Sequence, residues 1–453
     1  DDYVIELSLV DAESHSELRT AEIVYPPEQV TDLQHALLSN VADMIGLRLP
    51  EAALREVTDG GTEMVAAYES FLQGHGYLAE GDSVAVATAV ERFQRATEID
   101  SNYARAYCGL AEACWQNYAA TDDSVWAQRA EASCRRALEI DHGLPRAHVT
   151  LGALCTRRNQ HEEAIDQFRA ALDLNPVCWA AYNGLAQAYK SLGQHDQAVA
   201  AFERAIDLRP DYWPIQQDLG YFYYPLGRYE DAAEVFEGLV AKTPGHYMTH
   251  NTLGAFYYLL GRMDDAEEQF TNSFAIKKNP LACQNLGLIY HRKGRYAEAA
   301  SMYQWAVEFE RGSREHLAWG NLAKACAMVD SLSHKADENY RKAIELAEAD
   351  RARNPNDAVV TAFLAGYYLD VDDEARSRER IGQALKLAPK NSEVLFRCGH
   401  AYERLGEREK ALTYIGKAID YDYPVEEILQ DPDLEALRQD PRFKLLLRNK
   451  GSE

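Results

Sequence analysis

Apolar side chains in the middle of this chain fall three and four positions apart, with small residues among them, and the arrangement repeats. Tyr182, Leu185, Ala186, Tyr189, Ala198, Phe202, Ala205 and Pro210 make one complete block. It returns as Leu219, Gly220, Tyr223, Ala232, Phe236, Pro244, then as Leu253, Gly254, Tyr257, Ala266, Phe270. A further copy reads Leu286, Gly287, Tyr290, Ala299, Tyr303, Ala306. Upstream, His148, Leu151, Gly152, Cys155, Ala164, Phe168, Ala171 and Pro176 keep the same frame. The five Leu positions are 34, 34, 34 and 33 residues apart, a period that marks a repeat array.

Each block predicts a pair of helices. The Leu and the aromatic residue near it share one face of a first helix, and the small residue between them lets a second helix approach. The second helix offers Ala, an aromatic residue four later and Ala again, so large and small side chains interlock. Gly193, Gly227, Gly261, Gly294 and Gly406 stand between the helices, where a left-handed cap is wanted. Pro176, Pro210, Pro244 and Pro389 close the unit, since Pro cannot continue a helix. One hairpin cannot bury its own apolar face, whereas stacked hairpins can.

On these residues the chain resembles the tetratricopeptide repeat family over residues 67–424. Ten units begin near 67, 104, 145, 179, 213, 247, 280, 316, 358 and 392. The flanking units depart from the pattern. The unit from 104 carries extra residues between Leu110 and Ala130, that from 316 has a long second helix through Glu338–Arg353, and that from 358 lacks a turn Gly. The resemblance implies an all-α fold: a right-handed superhelix, or α-solenoid, of about ten hairpins.

The two ends differ from the array. Val4–Val10 alternates like a strand, Asp11–Glu17 is turn-like, Leu18–Tyr25 pairs back, and Val30–Leu47 has helical periodicity. Residues 1–66 therefore form a small α/β segment, strand–strand–helix. Residues 425–453 predict capping helices, with Asp431-Pro432 and Asp440-Pro441 as helix starts and an apolar stripe of Leu434, Leu437, Phe443, Leu446 and Leu447. The order hairpin, helix ending in "GLRLP", "AYESFLQG", repeats and "DPDLEALRQDPRFKLLL" resembles the TolB-like and repeat region of bacterial serine/threonine kinases or nucleotide cyclases. That resemblance implies a regulatory or sensor region of a multidomain protein. The opening Asp1-Asp2 without Met fits a processed chain or a piece of a longer one.

Charge narrows the partners. The formal net charge is −25, and residues 1–66, with 14 acidic and 3 basic side chains, carry −11 of it. Such a surface repels phosphate backbones, so nucleic acid is not expected as a partner, whereas basic or neutral protein segments are. No run approaches the roughly 20 apolar residues of a membrane span, so this segment is not expected to insert. None of the eight cysteines forms a C-x-x-C pair or stands at zinc-ligand spacing, and Cys114, Cys155 and Cys326 occupy the place of a buried Tyr. They are expected as small core residues, with neither metal nor cofactor. Free core thiols favour a reducing, cytoplasmic compartment; an extracytoplasmic part of a membrane-anchored regulator is the alternative.

Catalytic signatures are missing from the sequence. There is no H-E-x-x-H, no G-x-S-x-G, no phosphate loop, and no kinase H-R-D or D-F-G, so an enzyme is not expected. If the hairpins stack as the family does, the fifth, ninth and twelfth residues of each first helix face a concave groove. Those include Asn183, Gln187, Gln217, Tyr221, Tyr224, Asn251, Tyr258, Gln284 and His291. Asn183, Gln217, Asn251 and Gln284 would present one amide per repeat to an extended peptide backbone. Tyr221, Tyr224 and Tyr258 would form an aromatic patch with polar tips. A carboxylate-gripping Lys/Asn clamp of the family would need Lys where Val149 stands.

Overall fold

A computed structural model describes residues 3–10, 17–26, 33–47, 61–309 and 315–450. These fall into two compact units, Asp1–Phe222 and Tyr223–Glu453. Apart from one hairpin of strands, the described residues are helical, as the repeat pattern predicts.

The first unit opens with antiparallel β1 (Tyr3–Val10) and β2 (Glu17–Tyr25), in register from Tyr3 opposite Tyr25 to Leu9 opposite Arg19. The helix α1 (Leu33–Ile45) follows, and Arg19 on β2 donates to its terminal carbonyls on Asp43 and Met44 at 3.1 and 2.9 Å. Of the predicted turn Asp11–Glu17, residues 11–16 lie outside the described residues and Glu17 already belongs to β2. The first hairpins are α2 (Val65–Glu80) with α3 (Ser83–Ile99), and α4 (Ala104–Thr121) with α5 (Ser124–Ile140). Next come α6 (Pro145–Arg157) with α7 (His161–Leu174), and α8 (Trp179–Ser191) with α9 (His195–Leu208). The helix α10 (Trp213–Tyr223) runs to the unit boundary.

In the second unit α11 (Tyr229–Lys242) precedes the hairpins α12 (Tyr247–Leu259) with α13 (Met263–Ile276), and α14 (Pro280–Arg292) with α15 (Tyr296–Phe309). Then come α16 (Glu315–Ala327) with α17 (Ala336–Arg353), α18 (Ala358–Asp370) with α19 (Glu374–Leu387), and α20 (Ser392–Arg404) with α21 (Arg408–Asp420). The short helices α22 (Val425–Gln430), α23 (Glu435–Arg438) and α24 (Pro441–Lys450) end the chain.

The small residues do what their spacing requires. Phe93 on α3 fills the space beside Gly74 and Gly109, where an added Cβ would fall 2.8 and 2.4 Å from its ring. Phe168, Phe270 and Tyr303 take the same place against Gly152, Gly254 and Gly287. The aromatic ring of each second helix thus occupies volume that any side chain on the first helix would contest. Between the helices, Gly193, Gly227, Gly261, Gly294 and Gly406 all have φ near +70°. Where a turn Gly is missing, Asp122, Asn159 and Asp372 adopt that conformation, which Asp and Asn tolerate better than other side chains.

A second periodic device appears in the second unit. Arg228, Arg262 and Arg295, each just after a turn Gly, stack over Tyr223, Tyr257 and Tyr290 at 4.4, 4.1 and 4.2 Å. Each also pairs with a carboxylate three residues on, Asp231, Asp265 or Glu298. The tyrosine of the repeat is therefore held by packing below and a guanidinium above. Pro225 ends α10 at Tyr223 and stands in a 3-10 turn, Tyr224–Leu226.

All eight cysteines are free; six are buried, while Cys155 and Cys178 are half-buried. Burial pushes the Cys114 thiol up to about 11 and those of Cys108 and Cys398 to about 12, as expected of core residues. At the carboxyl end Leu434, Leu437 and Phe443 are fully buried against Leu395, Ile415 and Ile419.

Candidate functional site

The residues nominated from the sequence divide between the two units. In the first, Gln187 Nε2 donates to Asp218 Oδ2 at 3.2 Å, and Gln217 Nε2 donates to the hydroxyl of Tyr221 at 3.3 Å. Burial raises the Asp218 carboxyl above its ordinary range. Asn183 is half-buried, and its Oδ1 has no hydrogen-bond partner. Tyr221 is exposed.

In the second unit Asn251 is 6% exposed and accepts from Asn285 Nδ2 at 3.0 Å. It ties successive repeats together and does not stand open to a ligand. Gln284 and Tyr258 are half-buried. Tyr224 is exposed, yet its ring lies 6.0 Å from Tyr229 and 6.3 Å from Phe256, so part of its surface is spent on packing. The three tyrosines are not brought together within one unit, because Tyr221 belongs to the first and the others to the second.

His291, near the end of α14, is better placed. It lines a cavity of about 310 Å³ with Leu288, Tyr296, Asn321, Lys324 and Asp431. Its Nε2 is buried without a partner, and its ring meets Tyr296 edge-on at 5.1 Å. Burial, with help from Lys324 and Arg292, lowers its pKa to about 4, so the ring is neutral at pH 7.

A neighbouring cavity of about 200 Å³ shares Asn321, Lys324 and Asp431 with it. Its walls come from the first helices α16, α18 and α20, carrying Lys324, Asp370, His400 and Arg404 over an aromatic floor of Phe363, Tyr367 and Phe396. The two cavities thus adjoin along the first helices α14, α16, α18 and α20.

This first-helix strip has charge chemistry that the sequence did not disclose. His400 Nε2 lies 3.6 Å from Asp431 Oδ2 and 3.3 Å from Asp433 Oδ2. Lys324 Nζ lies 4.0 Å from Asp433 Oδ2, and Arg404 donates to Asp370 Oδ1 at 2.7 Å. Burial alone would lower the His400 pKa, but the hydrogen bonds and charges of the two aspartates outweigh it and raise it. The His400 hydrogen bond holds the Asp433 carboxyl well below the usual carboxylate range. Asp431 is desolvated, yet the same histidine keeps it low too. Three donor atoms within 4.8 Å could embrace a cation, but Lys324 already brings positive charge to Asp433.

Sequence reasoning did not nominate residues beyond His291 on this face, since α16–α19 belong to the repeats that depart from the pattern. Asp431 was read as a helix cap, and it does accept the Asp433 N–H at 2.9 Å. Its second oxygen meets His400, a contact between residues too far apart in sequence for spacing to reveal.

The helical pairs, the aromatic wedges against small residues and the left-handed turns agree with the family models that match the chain. Tetratricopeptide repeat models match residues 157–212, 191–248, 282–315 and 392–423. The chain carries tetratricopeptide repeats over these segments. Solved structures that the chain is similar to include a tetratricopeptide repeat protein from Parabacteroides merdae, at 16% identity and TM-score 0.43, over 67% of this chain and 98% of that one. YrrB, described as having an unusual peptide-binding site, is 22% identical at TM-score 0.33, over 43% and 96%. The Cut9–Hcn1 hetero-tetramer of the APC/C matches at 14% identity and TM-score 0.40, over 83% and 76%. Among curated proteins none matches significantly. No described helix is long and apolar enough to cross a membrane.

Proposed function

We propose that this repeat protein is a non-catalytic interaction scaffold that holds a peptide segment of a protein partner on the first-helix strip of its second unit. The observation that carries the reading is the pair of adjoining cavities on α14, α16, α18 and α20, with the buried, unpartnered His291 Nε2 facing one of them. A concave surface with an aromatic floor and a few polar groups is the kind that binds an extended chain. An unmet acceptor or donor there costs free energy that a ligand backbone group can relieve.

The test is a peptide array probed with the labelled full chain, repeated with Lys324→Ala and Phe363→Ala. Peptides retained by the native chain and lost by both variants support the reading. Retention indifferent to both substitutions, or no retention at all, sinks it.

A second reading has its own observation. The amino-terminal hairpin exposes Val4, Val10, Leu18 and Val24, while Ile23 on the strands and Ala42 on α1 are buried. So much exposed apolar surface on a two-stranded sheet fits a segment that packs on something else, as in a regulatory or sensor region of a multidomain kinase or cyclase acting on its own catalytic domain.

A further inference from the structure

One side of the carboxy-terminal cavity is lined by this chain's own Asp431 and Asp433. Two carboxylates two positions apart converge on His400 from α20, and the second also faces Lys324 from α16. These are first-helix residues, on the face where a partner segment would lie. Asp431 caps the six-residue helix α22, and Asp433 stands in a 3-10 turn, Pro432–Leu434. Elements so short have little stability of their own, so what they touch sets their position.

Capping the last hairpin does not require those carboxylates. Leu434, Leu437 and Phe443, with Ile428, Leu446 and Leu447, pack on the apolar surface of α20 and α21. Removing carboxylates from water costs free energy unless cations meet them, and an exposed polar residue would avoid that cost. Here each carboxylate is met: Asp431 by His400, Asp433 by His400 and Lys324. The pairing specifies where the segment lies more than it adds to stability.

We propose that the Asp431–Asp433 segment is an intramolecular occupant of this groove, standing in for a partner peptide that carries two carboxylates in Asp-x-Asp spacing. The inference rests on the first-helix strip being the peptide-binding face. It runs against the whole-chain charge of −25, which by itself favours basic or neutral partners. Contact charges decide, because distant acidic groups are screened over about 8–10 Å. With the segment lifted away, the groove offers Lys324 and His400, while Arg404 stays paired with Asp370. The occupant then acts as a gate: an acidic partner binds only by displacing it.

Fluorescence anisotropy of the full chain tests the gate. One labelled peptide copies residues 425–438, and a control copy has Asn in place of both aspartates. The native chain should bind the first weakly, because a mostly closed groove lowers apparent affinity in proportion to its open fraction. Asp431→Asn with Asp433→Asn should tighten it about tenfold, the gain expected if the groove is about 90% closed. Adding Lys324→Ala should abolish that gain, and the control peptide should not bind. Lys324→Ala alone, which leaves the capping residues untouched, should raise amide exchange across 425–434 with helical circular dichroism unchanged. Equal affinity for native chain and double variant, or equal binding of both peptides, would falsify self-occupation. If peptides from the array still bind in that case, the scaffold reading stands and the gate alone is wrong. If no peptide of any sequence binds any variant, both readings fall.

Discussion

Phe168 on α7 approaches Gly184 on α8 so closely that a methyl group on the glycine would fall 2.2 Å from the ring. The same ring contests Gly152 on α6 at 2.6 Å, so it is clamped between two successive first helices. Neighbouring hairpins are joined by this wedge, and not by the loop between them.

A single methyl should therefore be costly there. Gly184→Ala is expected to destabilise the first unit by about 1–3 kcal/mol, because neither ring nor backbone can yield freely. Gly238→Ala on α11, where nothing lies within 4 Å, should instead stabilise by about 0.5–1 kcal/mol through helix propensity. Urea midpoints of the two variants decide it; a Gly184→Ala midpoint matching the native one would mean the wedge is soft.

Docking of the Asp431–Asp433 segment should depend on pH from both sides. The folded-state pKa of His400 is raised above 6.5, so its contribution is complete below 6.5 and fades as pH rises through the higher folded value. Asp433 is depressed below 3.8, so its contribution is present above 3.8 and fades as pH falls through the lower folded value. Lys324 and Arg404 also face the contact, and Asp370, its carboxyl raised by burial, adds a titrating carboxylate at the acid end. Protection of the 425–434 amides should peak between those limits. His400→Gln should flatten the alkaline side, and an unchanged profile would remove His400 from the contact.

Removing the anchor of the capping segment tests how far it supports the array. Phe443 is 1% exposed, and Phe443→Ala is expected to cost about 3–5 kcal/mol locally. Hydrogen exchange should rise in α20–α24 and stay unchanged in α12 and α13. Faster exchange throughout the second unit would show that the cap holds the whole unit together.

His291→Leu separates structure from binding. Replacing a buried, unpartnered imidazole by an apolar side chain of similar reach should leave stability unchanged or raise it slightly. Peptides selected on the first-helix strip should bind less well. A loss of thermal stability with peptide binding intact would assign His291 to the core.

The fold was legible from the sequence to an unusual degree. The hairpins within each unit, their turn glycines and the long helix Ala336–Arg353 follow from periodicity, because each repeat solves the same packing problem with nearest neighbours. The capping stripe Leu434, Leu437, Phe443 was equally readable, since apolar residues at helical spacing have one plausible use. The left-handed Asp122, Asn159 and Asp372 stood where repeats lacking Gly needed them, and counting from the Gly of other repeats would have found them.

The candidate site was legible in part. Position within the repeat nominated both His291, which lines a cavity, and Asn251, which accepts from Asn285 and is 6% exposed. A position number states which face a side chain leaves from; whether a neighbouring repeat consumes it depends on the packing between them. The sequence by itself determined the helical pairs and their stacking, because those depend on local periodicity and side-chain size. Tertiary structure alone decided that Asp431 and Asp433 meet His400 and Lys324. Residues far apart in a chain carry no spacing that betrays their meeting, and only the return of the capping segment across α20 and α16 brings these charges within reach.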